Sequence, residues 1–241
     1  MQDIDLVLGN NEKKNIIEII EKNSSIVTDV MHQKEFIDFG DVTYTEKTRA
    51  VIKIQDGCDR FCSYCIIPYA RGRVRSRKPE SIISEIQKIA KEGYKEVVIT
   101  GIHIASYGKD FNLANSNNST NYALIDLLEE IDKIPGIERI RLGSIEPLLI
   151  TEEFMQRLIK LPKICHHFHL SLQSGCDATL QRMNRRYTTE QFEEIVNRIR
   201  NYYKDVILTT DIIVGFPQET DEEFNKTYKL SLIHISEPTR P

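Results

Sequence analysis

From residue 49 onward, short apolar runs alternate with amphipathic stretches, and this alternation constrains the fold of the 241-residue chain more than any other feature. Strand-like runs occupy residues 50–55, 95–101, 137–143, 166–173 and 205–215. The stretches that separate them carry apolar residues at helical spacing, as Ile82, Ile86 and Ile89 do. Five βα units in series predict an α/β fold with a parallel sheet, most economically a partial (βα) barrel.

Unusual polar or cysteine-rich segments follow all five predicted strands. In βα barrels the chemistry lies at the carboxyl ends of the strands. Residues 58–65 follow the first strand, 101–103 the second, 144–146 the third, 173–176 the fourth and 215–217 the fifth. The sequence therefore predicts one functional rim, to which each βα unit contributes a loop.

Cys58, Cys62 and Cys65 form a C-x3-C-x2-C pattern within the loop GCDRFCSYC. Five cysteines, an odd number with three clustered, do not fit a disulfide framework and indicate metal ligands instead. Three thiolates can hold three irons of a [4Fe–4S] cluster and leave the fourth iron open to a small molecule. The alternative is a structural zinc site, for which Cys165, Cys176 or a histidine would supply a fourth ligand.

The segment RGRVRSRK at residues 71–78 places five cations directly after the cysteine loop. If it is extended, Arg71, Arg73, Arg75 and Arg77 lie on one side, where guanidiniums can bind phosphates bidentately. This pattern predicts contact with RNA, and the ordinary alternative is a solvated charged face. The formal net charge of −4 excludes a protein that is basic over its whole surface.

We expect the chain to be cytoplasmic, without a membrane partner. No apolar run approaches the ~20 residues that are needed to span a bilayer. Asp3 and Asp5 follow Met1 at once, where a signal peptide would carry positive charge.

Several longer motifs make the sequence similar to one known family. They are QDGCDRFCSYCIIPYARGRVRSR (55–77), TGIHIASYG (100–108), RLGSIEP (141–147), HLSLQSGCDATLQRMNRRYT (169–188) and TDIIVGFPQET (210–220). With an aromatic residue, Tyr64, before the last cysteine, they resemble the methylthiotransferase branch of the radical S-adenosylmethionine (SAM) superfamily. Within that branch, QDGC, IIPYARG, GIH and MNRRYT are most similar to the tRNA enzymes that act on N6-threonylcarbamoyladenosine.

The resemblance implies a fold, two cofactors and a set of site residues. The fold is a truncated partial (βα) barrel of the radical SAM type, and the cofactors are one [4Fe–4S] cluster and SAM. Cys58, Cys62 and Cys65 would ligate the cluster, whose electron would cleave SAM to methionine and a 5′-deoxyadenosyl radical. The residues implied to bind SAM are Tyr64, Gly101, Ser144, Glu146, Gln173 and Arg185. Taken singly, Gly101 also fits a tight turn, and Glu146 also fits a solvated loop acid.

The reaction implied is transfer of a methylthio group to C2 of N6-threonylcarbamoyladenosine at position 37, beside the anticodon of tRNA. Such an enzyme is a transferase of sulfur-containing groups. One alternative is the same chemistry on isopentenyladenosine tRNA or on a ribosomal-protein aspartate, and another is a non-catalytic zinc-bearing RNA-binding module. The resemblance also implies tRNA and an electron donor such as a flavodoxin or ferredoxin as partners. A further alternative is that some of the arginines at 71–77 meet the SAM carboxylate instead of RNA.

Three regions are expected along the chain. Residues 1–45 resemble the end of an N-terminal α/β methylthiotransferase domain plus a linker, without the cysteines that hold a second cluster in that family. Residues 46–229 resemble the radical SAM core, truncated before its last strand. Residues 230–241 are expected to be a non-native tail derived from a sequencing adaptor. Because the cysteines of the second, sulfur-donating cluster are lacking from residues 1–48, we expect the chain to be inactive in the full reaction. Gln218 stands where the family has glycine, and it would strain its loop if its φ is positive.

Overall fold

A computed structural model of the chain describes residues 4–38, 40, 48–114 and 123–234. The strands are β1 (Arg49–Asp56), β2 (Arg75–Ser76), β3 (Glu96–Gly101), β4 (Arg139–Leu142), β5 (His167–His169) and β6 (Ile207–Thr209). The helices are α1 (Ile16–Lys22), α2 (Ile67–Arg71), α3 (Pro79–Lys91), α4 (Lys109–Ala114), α5 (Leu124–Asp132), α6 (Glu152–Leu158), α7 (Asp177–Arg182), α8 (Thr189–Tyr202) and α9 (Asp221–His234). Short 3₁₀ segments lie at Asn11–Asn15, Val30–His32, Ile104–Ser106 and Pro147–Leu149.

The strands form a mostly parallel array. β3 lies between β1 and β4 and is parallel to both, β5 is parallel to β6, and β2 pairs antiparallel with the end of β1. Backbone hydrogen bonds join the two groups of strands: Ile145 N donates to His169 O at 2.8 Å, and Ser171 N donates to Ile145 O at 3.1 Å. Helices separate successive parallel strands, as in a partial (βα) barrel, so the predicted α/β fold with a parallel sheet is confirmed.

One face of the strands packs against the helices and forms the core. Alternate strand residues such as Ile52, Ile99 and Leu142 are buried on this face. The helices contribute Ile82, Ile86, Leu127, Leu128, Met155, Leu158, Ile195 and Ile199 to the same cluster. Because side chains alternate across a strand, the intervening positions, such as Lys53 and Arg141, belong to the opposite and less buried face.

Helix boundaries follow from local signals. α8 begins at a capping box, in which Gln191 N donates to Thr188 Oγ1 at 3.2 Å and Thr188 N donates to Gln191 Oε1 at 3.0 Å. α3 has Pro79 at its first position, and Gly93, with a φ of +95°, follows its end. These helices therefore form where local sequence alone favours them.

The last two strands are much shorter than the predicted runs 166–173 and 205–215. Thr210 Oγ1 accepts a hydrogen bond from Leu172 N at 3.0 Å and donates one to Leu170 O at 2.5 Å, which replaces regular ladder pairing. Gln173 then adopts a φ of +69°, which a regular strand cannot contain. The prediction of long strands is wrong here because alternation of apolar residues does not report such side-chain hydrogen bonds.

Residues 4–38, which we name the N-terminal unit, lie beside the core. An isolated parallel bridge joins Leu8 to Ile26, and Gly9 N donates to Ile26 O at 2.9 Å. At the other end of the chain, α9 continues to His234, and residues 235–241 of the predicted tail lie outside the described residues. None of the described helices combines the length and the apolar character that crossing a bilayer requires.

Candidate functional site

The loop that carries the three cysteines follows β1 and folds back on residues 72–73. Cys58 N donates to Gly72 O at 3.0 Å, and Cys65 N donates to Cys62 O at 3.0 Å. Gly57 has a φ of +72°, and a Cβ atom there would lie 1.8 Å from Arg73 O, so only glycine fits this close approach. All three thiols are free and partly buried.

A second segment, 120 residues later in the chain, forms a wall of this loop. Ser63 N donates to Met183 O at 3.1 Å, and Asn184 Nδ2 donates to Phe61 O at 2.9 Å. Arg185 Nη1 lies 3.4 Å from Cys62 Sγ and donates a hydrogen bond to it. The residues after α7 therefore hold the cysteine loop at its middle.

The electrostatics of the loop at Cys58 favour the neutral thiol until a metal is bound. Burial raises the pKa of the Cys58 thiol, and the neighbouring Cys62 and Cys65 raise it further, so the loop by itself favours neutral thiols. A bound cationic cluster offsets this cost, because metal binding deprotonates cysteine. Arg60 N donates to Cys58 Sγ at 3.4 Å, and together with Arg185 it supplies hydrogen bonds of the kind that tune iron–sulfur clusters.

The donor set therefore fits a cluster held by three cysteines. The loop offers three free thiols, two of which already accept hydrogen bonds. Across the part of the chain that the structure describes, no three His, Cys, Asp or Glu side chains are arranged to hold a single metal ion. This finding covers Cys58, Cys62 and Cys65 as well, so it does not distinguish a zinc site from a cluster.

Glu146, which the resemblance places near the SAM ribose, is buried at the same rim. Its carboxylate forms an ion pair with Arg60 of the cysteine loop, and His103 Nε2 lies 3.2 Å from Glu146 Oε2. Burial acts to raise the pKa of Glu146, but the hydrogen bond and charge of His103 and the charge of Arg60 outweigh it and hold the pKa below its ordinary value. The structure thus brings together residues from three strand ends around one ionised carboxylate.

Gln55 is a site residue that the sequence reasoning missed. It is fully buried, its Oε1 accepts from His103 N at 2.7 Å, and its Nε2 donates to Asp56 O and Gly57 O at 2.7 Å each. A Cβ atom at Gly101 would lie 3.0 Å from Gln55 O and 3.1 Å from Gln55 Oε1, so tight packing against Gln55 favours glycine there. A glutamine at the end of the predicted strand 50–55, three residues before Cys58, was the available signal.

The remaining predicted SAM residues are distributed along the rim. Tyr64 packs edge-on against Phe216 with ring centroids 6.5 Å apart, and burial raises the pKa of Tyr64 to about 12. Ser144 is exposed at the end of β4. Gln173 joins two strand ends, since its N donates to Asp211 O at 3.0 Å and its O accepts from Ile213 N at 2.9 Å.

The structure places the four arginines of the predicted row in different surroundings. Arg71 makes a bidentate pair with Asp56, Arg75 is 1% exposed, and the side chain of Arg77 is paired with Glu85 and 8% exposed. Of these four arginines, only Arg73 has a side chain that is about half exposed, at 52%. The segment is not extended along its whole length, because α2 ends at Arg71 and Gly72, with a φ of +79°, turns the chain before β2 (Arg75–Ser76).

Comparison with known proteins gives the family. The sequence model of the radical SAM superfamily matches residues 52–231. Threonylcarbamoyladenosine tRNA methylthiotransferase MtaB of Aquifex aeolicus is 39% identical over 247 residues, covering 98% of this chain and 58% of that protein. The Bacillus subtilis MtaB is 38% identical over 245 residues, covering 96% and 52%. A tRNA-2-methylthio-N(6)-dimethylallyladenosine synthase of Desulforamulus reducens is 40% identical over 235 residues, covering 94% and 49%.

Solved structures agree on the fold. The radical SAM methyltransferase TsrM of Kitasatospora setae, with cobalamin and a [4Fe–4S] cluster bound, matches with a TM-score of 0.58 at 23% identity, over 76% of this chain and 34% of that one. The apo form of the cobalamin-dependent SAM radical enzyme OxsB matches with a TM-score of 0.61 at 11% identity, over 96% and 36%.

These matches confirm three predictions: the radical SAM fold, the resemblance to tRNA methylthiotransferases, and a [4Fe–4S] cluster with SAM as the cofactors of the family. The chain spans about half the length of the relatives it matches, at 58%, 52% and 49%. The three clustered thiols follow the carboxyl end of β1 and lie within the region that the family model matches. The chain belongs to the radical SAM superfamily.

Proposed function

We propose that this chain is the SAM-binding core of a tRNA methylthiotransferase that converts N6-threonylcarbamoyladenosine at position 37 to its 2-methylthio derivative. The observation that carries the proposal is the loop of three partly buried thiols, two of them hydrogen-bonded, beside the buried carboxylate of Glu146. Two MtaB relatives at 39% and 38% identity support the choice of substrate.

The same site supports a second candidate substrate. A dimethylallyladenosine-modifying relative is 40% identical to the chain, which is as similar as the MtaB relatives are. The adenine C2–H bond is neither acidic nor electrophilic, so a radical route serves both substrates. The two candidates therefore differ in the N6 substituent that is recognised and not in the chemistry at the cysteine loop.

In this proposal Cys58, Cys62 and Cys65 hold the cluster. When bound, the cluster and SAM supply the radical that attacks a C–H bond. Arg185 and the Arg60 backbone donate hydrogen bonds to sulfur and so stabilise the thiolate form of the ligands. Tyr64, Gly101, Ser144, Glu146, Gln173 and Arg185 are proposed to line the SAM site.

Glu146 has the clearest chemical role among these residues. Its carboxylate is ionised at neutral pH, because His103 and Arg60 hold its pKa low against the effect of burial. An ionised carboxylate accepts hydrogen bonds from ribose hydroxyls. Arg60 belongs to the cysteine loop, so the same ion pair fixes the loop relative to the proposed ribose position.

Replacing the hydrogen on C2 by a methylthio group also requires a sulfur donor and a methyl donor. The family resemblance assigns the sulfur to a second cluster, while residues 1–48 contain no cysteine. We therefore propose that the isolated chain cleaves SAM without forming a methylthio nucleoside. The proposed partners are tRNA and a flavodoxin or ferredoxin as electron donor, in the cytoplasm.

The cluster assignment is tested by anaerobic reconstitution of the full chain. We expect about four irons and four sulfides per chain, and release of 5′-deoxyadenosine on reduction with SAM. Cys62→Ala should abolish that release and leave the far-ultraviolet circular dichroism unchanged. Cys176→Ala, which removes a buried thiol outside the loop, is the matched control and should behave as wild type. One zinc per chain without iron would support the zinc-bearing module instead.

The substrate is tested by the nucleoside profile of tRNA from a strain that lacks the gene. Loss of 2-methylthio-N6-threonylcarbamoyladenosine alone supports the proposal. Loss of the 2-methylthio isopentenyl nucleoside would assign the second candidate.

A further inference from the structure

The N-terminal unit is bound to the core through the basic segment that follows the cysteines. Arg71 Nη1 donates to Asn10 Oδ1 at 2.7 Å. Arg77 Nε donates to Asp38 Oδ2 at 2.9 Å, and Asp38 Oδ2 also accepts from Ser81 Oγ at 2.9 Å. These contacts lie at both ends of the unit, so they restrain it as a whole.

The backbone of the N-terminal unit also lies close to the core at Val30, in the middle of the unit. A Cβ atom at Gly72 would lie 2.1 Å from Val30 O, so the glycine allows the unit to contact the core directly. Lys53 Nζ lies 5.6 Å from the centre of the Phe36 ring, which adds a cation–π contact from β1. The unit therefore rests on the same short segment through side chains and main chain.

The other side of that segment is bound to the cysteine loop. Arg71 pairs with Asp56 through Nε at 2.9 Å and Nη2 at 2.6 Å. Gly72 O accepts from Cys58 N at 3.0 Å. Arg71 and Gly72 thus each contact the N-terminal unit on one side and the start of the cysteine loop on the other.

These pairs are partly shielded from solvent. The side chains of Arg71 and Asp56 are 23% and 9% exposed, and that of Arg77 is 8% exposed while its partner Asp38 is 39% exposed. Charge-assisted, bidentate hydrogen bonds in a partly desolvated place are stronger and more directional than exposed ion pairs. Guanidiniums held in this way are not free to bind phosphate.

We infer that residues 71–77 are a clamp that couples docking of the N-terminal unit to the conformation of the cysteine loop at Cys58. Arg71 is a positioning residue in this clamp: it acts through Asp56 and Asn10. The inference goes beyond the proposed reaction, because it concerns how the ligand loop is held whatever the substrate.

The test uses Asn10→Ala and Asp38→Ala, which remove contacts from the N-terminal unit without touching the core. Hydrogen exchange of residues 4–38 is measured by mass spectrometry, together with the alkylation rate of each cysteine in the metal-free chain. We expect exchange to rise by about tenfold or more, since each variant loses a hydrogen bond to a charged group. Alkylation of Cys58 should accelerate several-fold, while that of Cys176 stays constant.

Arg71→Lys and Arg157→Gln complete the design. Arg71→Gln removes the charge and serves as the reference for the loss of protection. Lysine keeps the charge but cannot bind Asp56 and Asn10 together, so exchange in Arg71→Lys should be slower than in Arg71→Gln and faster than in wild type. Arg157→Gln removes a comparable pairing with Asp126 and Glu129 on α5, away from the N-terminal unit, and should change neither measurement.

Three outcomes would overturn the inference. Exchange in residues 4–38 that is as fast in wild type as in the variants would show that no clamp exists. Faster exchange with constant Cys58 alkylation would show that docking and the cysteine loop are independent. Loss of tRNA affinity in Arg71→Gln and Arg77→Gln, with exchange unchanged, would return these arginines to the predicted RNA contact.

Discussion

At the scale of single residues, buried and partly buried polar side chains determine the geometry of the rim. Gln55, Arg60 and Glu146 each link loops that follow different strands. Each is compensated by hydrogen bonds or an opposite charge, which is the condition for burying such groups. The contacts that these three side chains make with neighbouring loops therefore explain where the cysteine loop lies.

Gln218 shows strain at a single residue. Its φ is +67°, in the left-handed region that disfavours residues with a Cβ atom. The sequence predicts strain at Gln218 if its φ is positive, and the φ is positive. We predict that Gln218→Gly stabilises the chain by about 0.5–1 kcal/mol, the relief of left-handed strain less the entropy of glycine. Thermal unfolding should show a rise in Tm of about 1–4 °C.

Gln218→Ala is the control for this prediction. It shortens the side chain but keeps the Cβ atom, so Tm should stay within experimental error of wild type. An equal rise in Tm for both variants would show that the side chain beyond Cβ, and not the backbone, is unfavourable there.

At the scale of elements, one buried acid connects three strands. Glu96 on β3 pairs with Arg139 and Arg141 on β4 at 2.9 Å each and lies 3.7 Å from Arg49 on β1. Burial acts to raise the pKa of Glu96, but hydrogen bonds and charges from Arg139 and Arg141 lower it below its ordinary value. The sheet is therefore stabilised by the ionised form.

The pH dependence follows from that direction. A lowered folded-state pKa gives stability that is fully present above the unfolded-state pKa, near 4.3, and is lost as pH falls through the folded-state value. We predict that the free energy of unfolding of wild type and Glu96→Gln differs at neutral pH and converges on acidification below about pH 4. Urea titrations of both proteins at several pH values measure this difference in the free energy of unfolding.

Glu138→Gln is the matched control, because Glu138 forms only an exposed pair with Lys95, with both side chains more than half exposed. Its stability should follow that of wild type at every pH. A constant difference between wild type and Glu96→Gln down to pH 3 would contradict the role given to Glu96.

At the scale of the whole molecule, α9 is held to the core through a glycine. A Cβ atom at Gly175 would lie 2.7 Å from Thr227 Cα, and Gly175 N donates to Thr227 Oγ1 at 2.9 Å. We predict that Gly175→Ala lowers the free energy of unfolding by about 1–3 kcal/mol, because the contact is with main chain and cannot be relieved by a rotamer change. Chemical denaturation measures the loss, and an unchanged midpoint would show that α9 is free to shift.

Local patterns in the sequence were sufficient for much of the fold. The helical spacing of Ile82, Ile86 and Ile89 predicts α3, and the three cysteines predict their own loop, because the groups concerned lie within a few residues of one another. The βα order then predicts the parallel sheet, since right-handed crossovers leave few topologies. The apolar periodicity predicted β5 and β6 to be longer than they are, because side-chain hydrogen bonds of Thr210 replace backbone hydrogen bonds between the strands there.

The sequence by itself determined the α/β class, the cysteine triad and the family resemblance. Only the tertiary structure decided which charges meet: Arg60 pairs with Glu146, 86 positions away, and Arg71 pairs with Asp56 and Asn10. A run of arginines looks the same in sequence whether it is solvated or buried. The partner of a long charged side chain depends on which loops the parallel strands bring within reach, and residue spacing carries no information about that.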